Sequence, residues 1–240
     1  TAIVTGGTRG IGAAISRVFV ESGARVIATY AGNDEAALAF QESLGDLGAL
    51  LKLVKFDVSS EGQVDDFFAS LDQEEMNPQI LVNNAGLRKD QLGATMGFED
   101  WQRVLDVNLT GSFLMSQRAI KKMMRTRYGR IINISSIGGE IGLSGQANYA
   151  ASKAGQVGLS KVFAKEVGKR GITINNVLPG FIETELLEGL TEDQVKEYKQ
   201  QVPLKRFGSV EEVANTVCFL ASEEAGYITG ANVNISGGLA

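Results

Sequence analysis

The sequence contains no histidine, a single cysteine (Cys218), three prolines and one tryptophan among 240 residues. Without histidine, no imidazole can act as general acid or base, and the usual His-containing zinc sites are excluded, so no metal centre is expected. The lone Cys218 rules out an internal disulfide and points to a reducing compartment such as the cytoplasm. Positive charge is also scarce: the formal net charge is −5. An acidic chain offers no broad field for nucleic acid or an anionic membrane surface. No apolar run approaches the roughly 20 residues of a membrane span, so the chain reads as soluble. It begins at Thr1, without methionine and already in a strand-like run. The expectation is a short missing N-terminal piece, which leaves targeting to an organelle open.

Glycine, by contrast, is abundant at 29 residues, and hydrophobic residues make up 44%. That much apolar sequence can bury a sizeable core, and nothing in it reads as a linker, a repeat or a low-complexity tract, so 1–240 is read as one domain. Short β-rich runs recur at Ala2–Thr5, Arg25–Thr29, Leu51–Phe56, Ile80–Val82, Arg130–Ile134, Thr173–Val177 and Asn232–Ile235. Helical spacing separates them over roughly 11–22, 34–47, 61–74, 98–126, 147–168 and 210–221, with Ser59 and Ser209 as candidate N-caps. This alternation predicts an α/β, Rossmann-type doubly wound domain, a seven-stranded and mainly parallel sheet with helices on both faces. Such sheets bind ligands beyond the carboxyl ends of their strands.

The first such end carries "TGGTRGIG", running from Thr5 through Gly6, Thr8, Arg9, Gly10 and Ile11 to Gly12. Glycines there suit a tight turn, close approach of backbone to a pyrophosphate and close helix packing, with the helix N-terminus facing the anion. Strand two ends at Thr29 and Tyr30 without an acid for a ribose 2′-hydroxyl, while Arg9 can grip a 2′-phosphate. Together these favour NADP(H) over NAD; a solvated turn residue is the bland alternative for Arg9. Asp57 and Val58 are placed at an adenine edge, and Asn83, Ala85 and Gly86 beside the middle of the cofactor. Either segment alone would pass for an ordinary turn.

Tyr149 and Lys153 lie four residues apart in "YAASK", on one face of a helix. An ammonium beside a phenol stabilises phenolate, so the pair reads as a proton donor tuned by its neighbour and left accessible by small alanines. An exposed helix face is the alternative. Ser136, at the end of the strand before, can hydrogen-bond a substrate carbonyl oxygen, with Ser135 as its rival.

Taken in order, "TGGTRGIG", "NNAG", Asn108 in "VNLTG", Ser136 in "NISS", the pair in "YAASK" and "LPGFIET" resemble the short-chain dehydrogenase/reductase family over essentially the whole chain. The resemblance implies a catalytic tetrad of Asn108, Ser136, Tyr149 and Lys153. In it, the asparagine side chain helps hold a water that links the lysine to solvent, and the lysine binds ribose hydroxyls. It also implies that Pro179, Gly180, Ile182 and Thr184 touch the nicotinamide. Within the family the chain is most similar to 3-oxoacyl-(acyl-carrier-protein) reductases, implying NADPH-dependent reduction to the (3R)-hydroxyacyl product, a homotetramer, and docking of an acidic acyl carrier protein on Arg127 and Arg170. Lys121, Lys122, Arg125, Arg127 and Arg130 crowd ten residues, with Lys169 and Arg170 farther on. Such a cluster suits an acidic carrier, or simply complements a helix C-terminus. The competing readings are a reductase of a free ketone, sugar, quinone or acyl-coenzyme A, and a non-catalytic NADP-binding protein.

Overall fold

A computed structural model of the chain describes residues 1–184 and 191–240; Glu185, the end of the "LPGFIETE" run, lies outside the described residues. Seven strands form one sheet: β1 (Ala2–Val4), β2 (Val26–Tyr30), β3 (Leu51–Lys55), β4 (Ile80–Asn83), β5 (Gly129–Ile134), β6 (Ile172–Pro179) and β7 (Asn232–Ile235). Their order is β3-β2-β1-β4-β5-β6-β7, and every pairing is parallel. All seven expected strands are present, with ends shifted by one or two residues. Order reverses between β1 and β4, which opens a crevice at their carboxyl ends.

The two faces follow from the period of two along each strand. Val4, Val26, Ala28, Val82, Ile132 and Val177 pack under α1 (Gly10–Glu21) and α9 (Val210–Ala221). Their neighbours Ile3, Ile27, Leu81, Ile131, Ile172 and Ile174 pack under α3 (Glu61–Gln73), α5 (Gly111–Thr126) and α7 (Ala147–Val167). The remaining α-helices among the described residues are α2 (Asp34–Glu42), α4 (Phe98–Leu105), the short α6 (Gly138–Ile141) and α8 (Glu192–Gln201).

Several local expectations change. Ser209 caps α9 in a reciprocal capping box with Glu212. Ser59 does not cap α3: Ser60 takes that place, and the Ser59 hydroxyl and amide both donate to the Asp57 carboxylate. Helix α2 stops at Glu42, and a 3₁₀ segment (Gly45–Leu50) leads into β3. The long helix over 98–126 is interrupted by a π turn at Asp106–Thr110. Neither α6 nor α8 was foreseen.

On the α5/α7 face, the sheet's carboxyl end carries a row of asparagines in register: Asn83 opposite Asn133, Asn133 opposite Asn176, and Asn176 opposite Asn232. Asn83 Nδ2 donates to Asn133 Oδ1 (2.7 Å) and Asn176 Nδ2 to Asn232 Oδ1 (2.9 Å). Between them, Asn133 Nδ2 donates to Ser160 Oγ of α7 (2.7 Å), and that hydroxyl donates to Asn176 Oδ1 (2.6 Å). Buried amides left unpaired are costly, so the inner rungs hold more stability than the rim. Asn133→Ala is expected to lower the urea unfolding free energy by about 1–3 kcal/mol, whereas Asn232→Ala, exposed at the edge, costs less than about 0.5 kcal/mol.

Candidate active site

The glycine turn sits at the β1 end of the crevice. Gly6 and Gly10 adopt left-handed backbone (φ +60 and +51), and a Cβ on Gly12 would fall 2.0 Å from the Gly6 carbonyl oxygen. Helix α1 starts there with no acidic residue in its first turn and no side-chain cap from Arg9, so its amides stay available to an anion. Thr29 O accepts from Gly7 N (3.0 Å), and Thr5 Oγ1 accepts from the amides of Asn84 and Ala85 (3.0 Å each). Thr8, Thr29 and Val58 are buried and Arg9 is exposed. Across the crevice, Thr184 Cγ2 lies 3.9 Å from where a Cβ on Gly10 would sit, so the loop after β6 reaches the turn. In that loop, Ile182 bridges to Gly208, while Pro179 O accepts from Ile137 N and Gly180 N donates to Ile235 O. A tight backbone cradle with exposed helix amides fits a nicotinamide dinucleotide.

Two cofactor expectations shift. The Asn83 side chain is bonded into the sheet, while Asn84, not foreseen, donates to the carbonyls of Thr5 (3.0 Å) and Gly6 (2.9 Å) and stitches the turn to β4. Near the end of β2 an acid does stand, Asp34, but Lys55 donates to it at 2.8 Å and Tyr30 also bonds it. The Asp57 carboxylate is likewise engaged. Burial pushes its pKa up, but hydrogen bonds from Ser59 and Arg103 outweigh this and hold it below the usual range.

The tetrad residues gather where β5, the π turn and α7 meet. Helix α7 buries a polar stripe, Asn148, Ser152, Gln156 and Ser160, with Lys153 beside it. Small residues permit close packing: a Cβ on Gly155 would meet Leu109 at 2.8 Å, and one on Gly139 would meet the Ala154 amide at 2.9 Å. Ser135 Oγ donates to Lys153 O (2.9 Å) and so belongs to the scaffold. Ser136 Oγ accepts from Gly138 N (3.0 Å) and bonds the Tyr149 phenol, so of the two serines it is the one that faces Tyr149. Both Ser136 and Tyr149 are half-buried.

The charges differ from expectation. Lys153 Nζ donates to Ile134 O (2.7 Å) and Gln156 Oε1 (3.3 Å), and lies 5.6 Å from the Tyr149 ring centroid. Burial lowers its pKa to about 7. Burial also raises the Tyr149 pKa above its ordinary 10; the Ser136 hydrogen bond and Arg88 act the other way, and Asp90 reinforces the rise. Lys153 is not among the groups that shift the phenol, and its ammonium is bonded instead to the Ile134 carbonyl and Gln156. Asn108 is fully buried. Its Oδ1 accepts from Leu87 N (2.9 Å) and its Nδ2 donates to Leu87 O and Ser152 Oγ (3.0 Å each). The amide protons expected to help hold a water are thus committed to protein. A Cβ on Gly86 would lie 3.3 Å from Asn108 Oδ1 and 3.6 Å from Lys153 Nζ, so glycine leaves that space open.

Beside the phenol, Gln146 Nε2 donates to Asp90 Oδ2 (3.2 Å), and Asp90 pairs with Arg88 (3.1 Å). None of these three was foreseen. A cavity of 260 Å³, lined by Gly93, Met96, Phe98, Trp101 and Ala147, adjoins the N-terminus of α7. A larger one of 510 Å³ runs along α8 and touches no tetrad residue.

Arg127 and Arg170 do not join this site. They stand before β5 and β6, at the amino ends of strands whose carboxyl ends hold the tetrad, about 20 Å away for a six-residue strand. Arg127 Nη2 donates to Lys169 O (3.2 Å), which brings the two loops together. Two members leave the basic cluster: Lys122 is buried against Asp72 (2.6 Å), and Arg130 is buried on the carbonyls of Ser222, Gly129 and Gly171.

Residues 6–240 match a family profile described as enoyl-(acyl carrier protein) reductase. The chain is 44% identical to the 3-oxoacyl-(acyl-carrier-protein) reductase of Aquifex aeolicus (strain VF5), covering 99% of this chain and 96% of that protein. It is 44% identical to the Escherichia coli (strain K12) reductase of the same description, with 99% and 96% covered, and 41% identical to that of Staphylococcus epidermidis (strain ATCC 35984), with 100% and 98% covered. A crystal structure of a candidate gluconate dehydrogenase from Agrobacterium tumefaciens superposes with TM-score 0.96 at 32% identity, over 100% of this chain and 95% of that one.

A pH dependence follows from the buried lysine. Between about 7 and 10.5 the unfolded chain binds a proton at Lys153 that the folded chain does not, so folding stability rises with pH across that window. Above 10, the raised Tyr149 acts in the opposite sense. Urea unfolding at pH 6 to 10 is expected to show this rise, and Lys153→Met to flatten it.

Proposed function

The chain belongs to the short-chain dehydrogenase/reductase family, and we propose that it acts as one domain that reduces 3-oxoacyl-(acyl carrier protein) to the (3R)-3-hydroxyacyl product with NADPH in fatty acid synthesis. The observation that carries this reading is the convergence of the Ser136 and Tyr149 hydroxyls beside the glycine cradle, in a chain over 40% identical end to end to reductases of that description.

When bound, the cofactor supplies a hydride to the 3-oxo carbon. Ser136 donates to the carbonyl oxygen and orients it, and Tyr149 hands its proton to the same oxygen as charge develops there. A phenol whose pKa is raised keeps its proton at neutral pH until an alkoxide appears, which suits the reducing direction. Lys153 would bind ribose hydroxyls of the cofactor, and Asn108, bonded to Leu87 and Ser152, holds the backbone beside it. Thr5 to Gly12, Thr29, Asp57, Val58, Ala85, Gly86 and the loop Pro179–Thr184 line the cofactor's course. Phosphate recognition by Arg9, with Asp34 neutralised by Lys55, favours NADPH. The cavity at Met96, Phe98 and Trp101 offers apolar walls to an acyl tail.

The exposed Phe113, packed against Phe163 at 6.2 Å between ring centroids, and the exposed Val162 offer α5 and α7 faces for self-association into a homotetramer. Because Arg127 and Arg170 stand at the far end of the sheet, a carrier docked on them serves the site of a neighbouring subunit. No described helix is long and apolar enough to cross a membrane, and the free Cys218 suits the cytoplasm.

Acetoacetyl-(acyl carrier protein) is expected to oxidise NADPH rapidly and Tyr149→Phe to lower kcat by at least about 100-fold. Arg9→Ala is expected to cut kcat/KM for NADPH by about 10-fold or more while sparing NADH. Turnover indifferent to the carrier would move the protein to free ketones or coenzyme A thioesters. Reduction of crotonyl-(acyl carrier protein) in place of the oxoacyl substrate would replace the reading with enoyl reduction.

A further inference from the structure

Gln156 lies one turn beyond Lys153 on α7 and has no exposed surface. Its Nε2 donates to the main-chain carbonyl of Asn108 (2.8 Å) and to Ser112 Oγ (2.7 Å), and its Oε1 accepts from Lys153 Nζ (3.3 Å). The amide can stand only one way round. The Ser112 proton is already directed to Asn108 O (2.7 Å), so both groups on that side accept, and the NH₂ end must face them. The oxygen end is thereby aimed at the ammonium. A flipped amide would set carbonyl against carbonyl and NH₂ against NH₃⁺, both repulsive in a buried setting.

We propose that Gln156 is the positioning residue of the catalytic lysine: pinned by the π turn at Asn108, its amide oxygen holds the Lys153 ammonium at the end of β5. This rests on the reading that Lys153 belongs to the catalytic set. The groups facing the ammonium are the Ile134 carbonyl from β5, the Asn108 amide oxygen across Gly86, Tyr149 from its own helix, and Gln156. Among the described residues no carboxylate pairs with it, and Arg88 and Asp90 act on the phenol instead. A neutral acceptor is therefore the sole side-chain partner of a buried cation, and its removal strips half of the ammonium's hydrogen bonds.

The test is an NMR titration of the purified full chain carrying ζ-¹⁵N lysine, with the Lys153 signal assigned by Lys153→Met. Gln156→Leu is expected to lower the Lys153 midpoint by about one pH unit, the size of one lost hydrogen bond to a charged group. Gln156→Glu, nearly the same shape but anionic, is expected to raise it. The pH profile of kcat/KM is expected to move with the midpoint in each variant. Midpoints unchanged in both variants, with only thermal stability lowered, would overturn the proposal and leave Gln156 a packing residue. Should Gln156→Leu fail to fold, the direction of the Gln156→Glu shift decides alone. The titration needs no substrate, so it stands apart from whether oxoacyl carriers are the substrates.

Discussion

The structure depends on one constraint: α7 buries polar side chains, and every one of them must find a partner away from water. Asn148, Ser152, Gln156 and Ser160 recur every four residues along one side of the helix. Together they reach the loop at Lys89, the π turn and the sheet. Asn148 donates to Lys89 O, Ser152 accepts from Asn108, Gln156 binds the π turn, and Ser160 enters the asparagine row. An apolar helix face can slide or rotate at modest cost, whereas a face of directional bonds has one register. The placement of Tyr149 and Lys153, carried on the same helix, follows from that register.

The same seam explains the electrostatics. Burial among amides and hydroxyls penalises the charged forms of both the lysine and the tyrosine. The site is thus held near neutrality, and the strongest fixed charges around it, Arg88 and Asp90, compensate one another at the mouth. A cofactor and a polarised carbonyl entering such a site meet little competing charge, so their own fields act at close range with little screening.

Much of this was legible in the sequence. Strands announced themselves by β-branched runs, and the glycine turn by its position between β1 and α1. Ser136 and the Tyr149/Lys153 pair stood out by sitting at a strand end and on one helical face. What stayed hidden depends on contacts between distant segments. Which of Ser135 and Ser136 is bonded to the backbone of α7, and which faces the phenol, is set by packing between distant segments. The burial of Lys122 and Arg130 is decided by α3 and by the end of α9, so a basic cluster in sequence is only partly one on the surface. Asp34 lies outside the β2 run and is reached by Lys55 from β3. Gln156 did leave a signal: polar residues at every fourth position of an alanine-rich helix describe a buried polar seam rather than a solvent face, which would be dense in charge.

The π turn between α4 and α5 has a further effect, on the counting of residues. It feeds one extra residue into an otherwise continuous helix. Because the turn widens to take that residue in, Leu114, Met115, Ala119 and Met123 keep the phase that faces them to the sheet. Removing one residue from 106–110 would let the helix run regularly and leave α5 close to its present phase, but would close the widened turn whose Asn108 carbonyl binds Gln156. The methionines would stay on the sheet, while the carbonyl of Asn108 would lose its place beside Gln156. The extra residue therefore serves the contacts around Asn108 and not the core beneath α5.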